Sequence, residues 1–355
     1  MSTSYKLNKK YWLSLLPLIC AGFLLNFLFW QISPDDLMQE DIYYIWLEGK
    51  RIISGENPYA RVLESNMRNN DKYATYFPVA YLLSALVQKL GFVKFQDWIY
   101  MLRPISFGFH MGIVALILKF FKDRGLWALG FAASIIILLG RWSLHIIKVQ
   151  QLEFAAIFFL VFSLYLLKQK PKLSLLMFSI SLGIKQIAIF CLPLYLIYLW
   201  KFEDQDKRTK NLFLGLFIIS SIPLLTSLPF LIWNAEGFIK SILFSATRFG
   251  DIHVDAPSID LILKKRFTWF VGLKAKIPML FLMGIIYFSF LKEKVGVFIS
   301  CTLIMMTFVY FNSVLYLQYF IWYICLIPFA LVESMPLSRR LPAESHYYKK
   351  QKINL

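Results

Sequence analysis

The sequence predicts an all-α fold, a polytopic transmembrane helical bundle of about ten segments with two large loops on one face. Three observations predict it. Hydrophobic residues make up 58% of the 355-residue chain, and the mean hydropathy is +0.59, whereas a soluble chain of this length needs more polar surface. Charged residues are only 17% and cluster between long apolar runs. Those runs do not alternate, and they exceed the roughly ten-residue segments of a transmembrane barrel. One membrane-embedded domain is expected over residues 1–334, with outer loops at about 31–97 and 234–276 carrying juxtamembrane helices. A basic cytoplasmic tail, 335–355, follows.

The formal charge of +17 does not imply nucleic acid as a partner. The Lys and Arg residues flank apolar segments or sit in two long loops, where topology and anionic lipid headgroups select them. The four cysteines, Cys20, Cys191, Cys301 and Cys325, all lie inside apolar runs. None has metal-ligand spacing or a loop position suited to a disulfide, so they read as apolar packing residues.

Taken in order, Tyr11–Trp30 follows Lys6, Lys9 and Lys10 and lacks a small-residue cleavage site, so it reads as an uncleaved anchor with a cytoplasmic N-terminus. Phe77–Leu90 has about 14 apolar residues where a span needs about 20, and is expected to be an interfacial hairpin. With it excluded, Trp98–Phe121 crosses inward, Gly125–Trp142 outward and Gln151–Leu167 inward. Leu173–Ile184 and Gln186–Trp200 make a short pair, out and back. Leu212–Trp233 crosses outward, Pro278–Leu291 inward, and Val295–Phe311 and Tyr316–Val332 complete the set. Every short basic connection then lands on one side, as the positive-inside bias requires. Gly108-x-x-x-Gly112 is read as close helix packing.

In the first outer loop, Ser33-Pro34-Asp35-Asp36 reads as a helix start, and Gly55 as its end. Ile42, Ile45, Trp46, Gly49 and Ile53 would form its apolar stripe. Leu37, Asp41, Tyr44 and Glu48 fall on another face, with Asp41 in mid-helix. Asp41 on a merely solvated face is the alternative. Lys185 lies between apolar stretches of about 12 and 15 residues, or about 18–22 Å of helix each, short of a ~30 Å hydrocarbon core. A charge at that depth either snorkels to the interface or needs an anionic partner, which would be Glu153 or a ligand phosphate. Arg103, a few residues into its span, and Arg248, in the second loop, are further candidates. Lys264-Lys265-Arg266 reads as a contact to lipid headgroups. Asp251-x-His253-x-Asp255 has alternating spacing, but the loop offers no companion ligand set for a metal. His110 and His145 are read as packing or interface residues. Tyr76, Tyr316, Tyr319 and Trp322 read either as sugar-stacking rings or as an interfacial aromatic belt.

Asp41, Tyr44, Gly49, Gly55-x-Asn57-Pro58-Tyr59 and Tyr76-x-Pro78, followed by Gln150-Gln151, Gly183-Ile-Lys185 and Gln318-Tyr319-x-x-Trp322, appear in this order. The set resembles the membrane-embedded GT-C glycosyltransferases, and most of all the polyprenyl-phosphate-mannose-dependent branch, glycosyltransferase family 87 (the DUF2029 group). The resemblance runs from about Asp36 to Phe329. It departs from the family at Phe77, where a second proline is usual, and at Gln186, where the family has proline.

The resemblance implies a GT-C-like fold and a hexosyltransferase, mannosyltransferase-like and inverting. The donor would be a polyprenyl-phosphate sugar, the acceptor a glycan or lipid hydroxyl, and the setting the outer face of a bacterial cytoplasmic membrane. Asp41 would be the general base. Lys185, with Arg103 or Arg248, would hold the phosphate, and Tyr44, Tyr76, Gln151 and Gln318 would line the substrate. No cofactor is called for. A divalent metal is only weakly supported, since Glu40-Asp41 stands where a strict Asp-x-Asp pair would be needed. The alternative is a transporter or flippase of lipid-linked saccharides, marked by paired broken helices in repeated halves; this sequence has one broken pair and no repeat. A non-catalytic membrane scaffold is a third reading.

Overall fold

A computed structural model of the chain describes residues 9–63, 74–201, 208–247, 257–269 and 272–335. In chain order the helices are α1 (Lys9–Trp30), α2 (Asp41–Ile53), α3 (Val79–Lys89), α4 (Phe95–Lys122), α5 (Trp127–Leu139), α6 (Arg141–Val149), α7 (Glu153–Leu166), α8 (Pro171–Ile184), α9 (Leu192–Lys201), α10 (Arg208–Thr247), α11 (Ile259–Arg266), α12 (Ile277–Leu291), α13 (Val297–Phe311), α14 (Phe320–Ile324) and α15 (Ile327–Ser334). Short 3-10 turns join several of them, and no strand occurs among the described residues.

Four stretches are long and apolar enough to cross a bilayer alone: Phe95–Lys122, Arg208–Phe244, Lys274–Leu291 and Leu317–Ser334. The pair α5 and α6, bent by 44°, makes a fifth. Leu15–Trp30, Glu153–Leu166, Pro171–Ile184, Gln186–Lys201 and Val297–Phe311 are shorter apolar helices. Together these correspond to the predicted segments. The run expected not to span is α3, 11 residues long and therefore about 16 Å, half a hydrocarbon core. Apolar side chains on α1 and α10 face outward, Phe27 at 65% and Phe217 at 72% exposure, which suits a lipid-facing rim. The interior is filled by α4, α7, α8, α13 and α14, with Phe154, Phe178 and Trp322 fully enclosed.

The broken pair α8–α9 folds out and back against α10. Leu175 near the start of α8 and Leu199 near the end of α9 both meet Gly215, while Gly183 at the far end of α8 meets Ile222. The two outer loops meet as well. Tyr59 is fully buried, and its ring packs edge-on against Phe230 at 5.3 Å and Phe238 at 4.8 Å. Its hydroxyl donates to the Tyr76 carbonyl at 2.8 Å.

Two expectations in the loops and helix packing need correction. The first loop is not one helix: Pro34–Leu37 is a 3-10 turn, and α2 begins at Asp41 itself, behind Glu40. Asp41 thus sits in the first turn, where a carboxylate is favoured by the helix dipole. The second loop opens as expected at Asn234, where α10 kinks with φ −158° and ψ 89° before a juxtamembrane helix runs on to Thr247. Cys191, Cys301 and Cys325 are buried free thiols, as packing residues should be, and the sulfurs of Cys191 and Cys301 lie 3.0 Å apart. In Gly108-x-x-x-Gly112 only Gly112 is tight, its hydrogen pointing at the Phe158 ring, while Gly108 faces open space.

Candidate functional site

Three chain breaks bring polar groups together on the loop face. The first is the start of α2. The first residue of the helix is the half-buried Asp41, and Tyr44 follows one turn later on the same side, half-exposed, with its ring 5.7 Å from Tyr43. The stripe Ile42, Ile45, Trp46 and Gly49 is buried as the periodicity predicts. Glu48 is not on a solvated face. It is enclosed, and its Oε1 accepts from Arg51 at 2.5 Å and Arg61 at 3.2 Å. Burial pushes Glu48 above the usual carboxylate range against the pull of those two guanidinium groups.

The second break separates α8 from the 3-10 turn Gln186–Cys191. Lys185 is extended there, with φ −142° and ψ 119°, and is fully buried. Its ammonium pairs with Glu153, the first residue of α7, which is equally buried. The nitrogen also lies 4.9 Å from the centre of the Tyr76 ring. Gln186 donates to the Thr75 carbonyl at 2.5 Å, tying this break to the end of the first loop. Of the two partners considered for Lys185, the structure supplies Glu153.

The third break precedes α14. Gln318 lies in the turn Leu317–Tyr319 and donates to Oδ2 of Asp41 at 3.4 Å, across 277 positions of sequence. The Asp41 carboxylate is also within electrostatic reach of Lys185, Tyr76 and Tyr319. Desolvation pushes the Tyr76 phenol well above its usual value, and the charges of Asp41 and Glu153 push it further. Tyr76 therefore stays protonated and can donate a hydrogen bond. The cluster holds a half-buried carboxylate, a buried ammonium–carboxylate pair, and the Tyr76 ring beside that ammonium. A hydroxyl could lose a proton to the first, and an anion could be held by the second.

The remaining candidates fall in different places. Gln151 is buried in the turn between α6 and α7, next to Gln150, whose φ of 53° is left-handed. Arg103 donates to the Trp30 carbonyl at 2.8 Å and the Ile32 carbonyl at 2.7 Å. It closes the C-terminal end of α1, so its two terminal nitrogens are already engaged away from a phosphate. Arg248 and the Asp251–Asp255 motif lie outside the described residues. Trp322 is wholly enclosed and cannot stack on a sugar, whereas Tyr316 and Tyr319 are half-exposed and packed edge-on at 5.4 Å. Glu153 is the residue that spacing alone left as a mere ion-pair alternative. A lone carboxylate opening a fully apolar helix was its signal.

A family model described as Mannosyltransferase (PIG-M) matches residues 259–345. That segment is similar to mannosyltransferases. It contains Gln318, Tyr319 and all of α11 to α15, about a quarter of the chain, and with the apolar helices it supports a multi-pass membrane mannosyltransferase. No solved structure matches the chain.

Proposed function

We propose that the protein is a GT-C-type glycosyltransferase of the family 87 branch, moving a mannose-type sugar from a polyprenyl-phosphate donor to an acceptor hydroxyl on the non-cytoplasmic face. One observation carries this reading. Gln318, inside the segment similar to mannosyltransferases, reaches Asp41 at the start of α2. Two regions with nothing in common in sequence meet at one carboxylate.

In this reading Asp41 accepts the proton of the acceptor hydroxyl as that oxygen attacks the anomeric carbon. The bond from that carbon to the donor phosphate breaks on the opposite side, so the anomeric configuration inverts. Negative charge grows on the departing phosphate, and Lys185 stabilises it from below, its attraction shared with Glu153. Tyr76 and Tyr319 flank the sugar, and Tyr44, Gln151 and Gln318 complete the lining.

The test is an assay of purified protein with a panel of polyprenyl-phosphate sugars. Asp41→Asn should lower transfer by about 10²–10⁴-fold while leaving the protein folded. Full turnover by that variant refutes the assignment. Passage of a lipid-linked saccharide across proteoliposomes without transfer favours the transporter.

A further inference from the structure

The helix α6 has no role in the reading above, and its charge pattern is unusual for its position. Arg141, His145 and Lys148 recur at i, i+4 and i+7 and so share one narrow face. Arg141 and Lys148 are exposed and His145 is half-buried, while Ser143, Ile146, Ile147 and Val149 bury the opposite side. Neither cation is ion-paired among the described residues. Arg141 also occupies the first position of the helix, where the dipole disfavours a cation. On the loop face the positive-inside bias gives no reason for these charges.

The placement connects α6 to both halves of the candidate site. Its C-terminal end runs through Gln150 and Gln151 directly into Glu153, the partner of Lys185. Its body packs on the turn that carries Gln318 and on α14. Trp142 stacks on Phe320 with ring centres 4.8 Å apart and planes 10° from parallel.

We propose that the Arg141–His145–Lys148 face of α6 is the docking site for the phosphate of a lipid-linked donor, receiving it at the membrane surface beside the reaction cluster. This rests on the transferase reading. A phosphate held by a lipid tail approaches from the bilayer, and two exposed cations on one face of α6, just past the bend from α5, suit its anionic oxygens. The docking step is distinct from the chemical one at Asp41 and Lys185.

The test is binding of polyprenyl phosphate, without a sugar, to the purified full-length protein in nanodiscs, against phosphatidylglycerol and inorganic phosphate as competitors. The Arg141→Gln/Lys148→Gln double variant should bind polyprenyl phosphate about 10- to 30-fold more weakly, with an unchanged melting temperature and phosphatidylglycerol binding little altered. Equal binding by the double variant and the native protein overturns the docking role and leaves the transferase reading standing. Parallel loss of phosphatidylglycerol binding also overturns it, reducing the face to a general headgroup contact. Competition by inorganic phosphate at equal strength shows a free-phosphate site instead. Failure of the native protein to bind polyprenyl phosphate at all removes both the docking role and the donor assignment.

Discussion

Lys185 and Glu153 are both fully enclosed, and an enclosed charge is tolerated only while its counterpart is present. Replacing one partner strands the other in a low-dielectric interior. Lys185→Met or Glu153→Leu alone should therefore destabilise the protein by about 3–5 kcal/mol, read as a lower unfolding temperature in detergent. The double variant removes both charges and should recover most of that stability. It should still fail to transfer sugar if Lys185 serves the phosphate. A stable double variant with native turnover would assign the pair to structure alone. Asp41 is tested through its neighbour. Gln318→Glu sets a second carboxylate at hydrogen-bond distance from the proposed base. Like charges repel, and the amide donor that orients the Asp41 carboxylate is lost. Transfer should fall by about 10-fold with an unchanged unfolding temperature. Native turnover by this variant would remove the Gln318–Asp41 contact from the reaction.

At the scale of elements, the most exacting contact near the site is between α2 and α3. A Cβ on Gly49 would lie 2.7 Å from the Ser84 Cβ and 2.9 Å from the Ala85 backbone nitrogen. Backbone cannot yield as a side chain can, so Gly49→Ala should cost about 1–3 kcal/mol, with only partial relief from Ser84→Ala. The two glycines of α4 give a contrast. Gly112→Ala would meet the Phe158 ring at 2.7 Å, whereas Gly108→Ala meets nothing within 4 Å. The first should lower the unfolding temperature, and the second should leave it unchanged or raise it by the equivalent of about 0.5–1 kcal/mol. The sequence spacing pointed to both glycines equally, because a small-residue repeat states which positions permit close approach and not which neighbour arrives. For the same reason α6 went unread as an element. It is 9 residues long, wedged between two apolar runs, and its polar face shows only once Gly140 is known to break the helix before it.

For the whole molecule, the helical bundle was legible because hydropathy is additive along a membrane chain. Apolar length gave the segments, and the shortness of Phe77–Leu90 kept α3 from being counted as a span. Asp41, Lys185 and Gln318 could be named from motif order, but their meeting depends on tertiary paths through Thr75–Gln186 and Tyr59–Phe230, which no local pattern encodes. The start of α2 was misplaced because Ser33-Pro34 carries a valid capping signal that ends in a single 3-10 turn. Orientation has its own test. Tyr59 ties the first loop to α10, so Glu56 and Glu236, both exposed, must lie on one side of the membrane. Asp123 and Lys292, also exposed, follow α4 and α12 and must lie on the other. In a Cys20→Ser background the three remaining cysteines are buried and should stay silent. A membrane-impermeant maleimide added to intact cells should then label Glu56→Cys and Glu236→Cys, and should reach Asp123→Cys and Lys292→Cys only after permeabilisation. Labelling of Glu56→Cys and Lys292→Cys together from outside would break the shared loop face, and with it the geometry that gathers Asp41, Gln318 and Lys185 into one site.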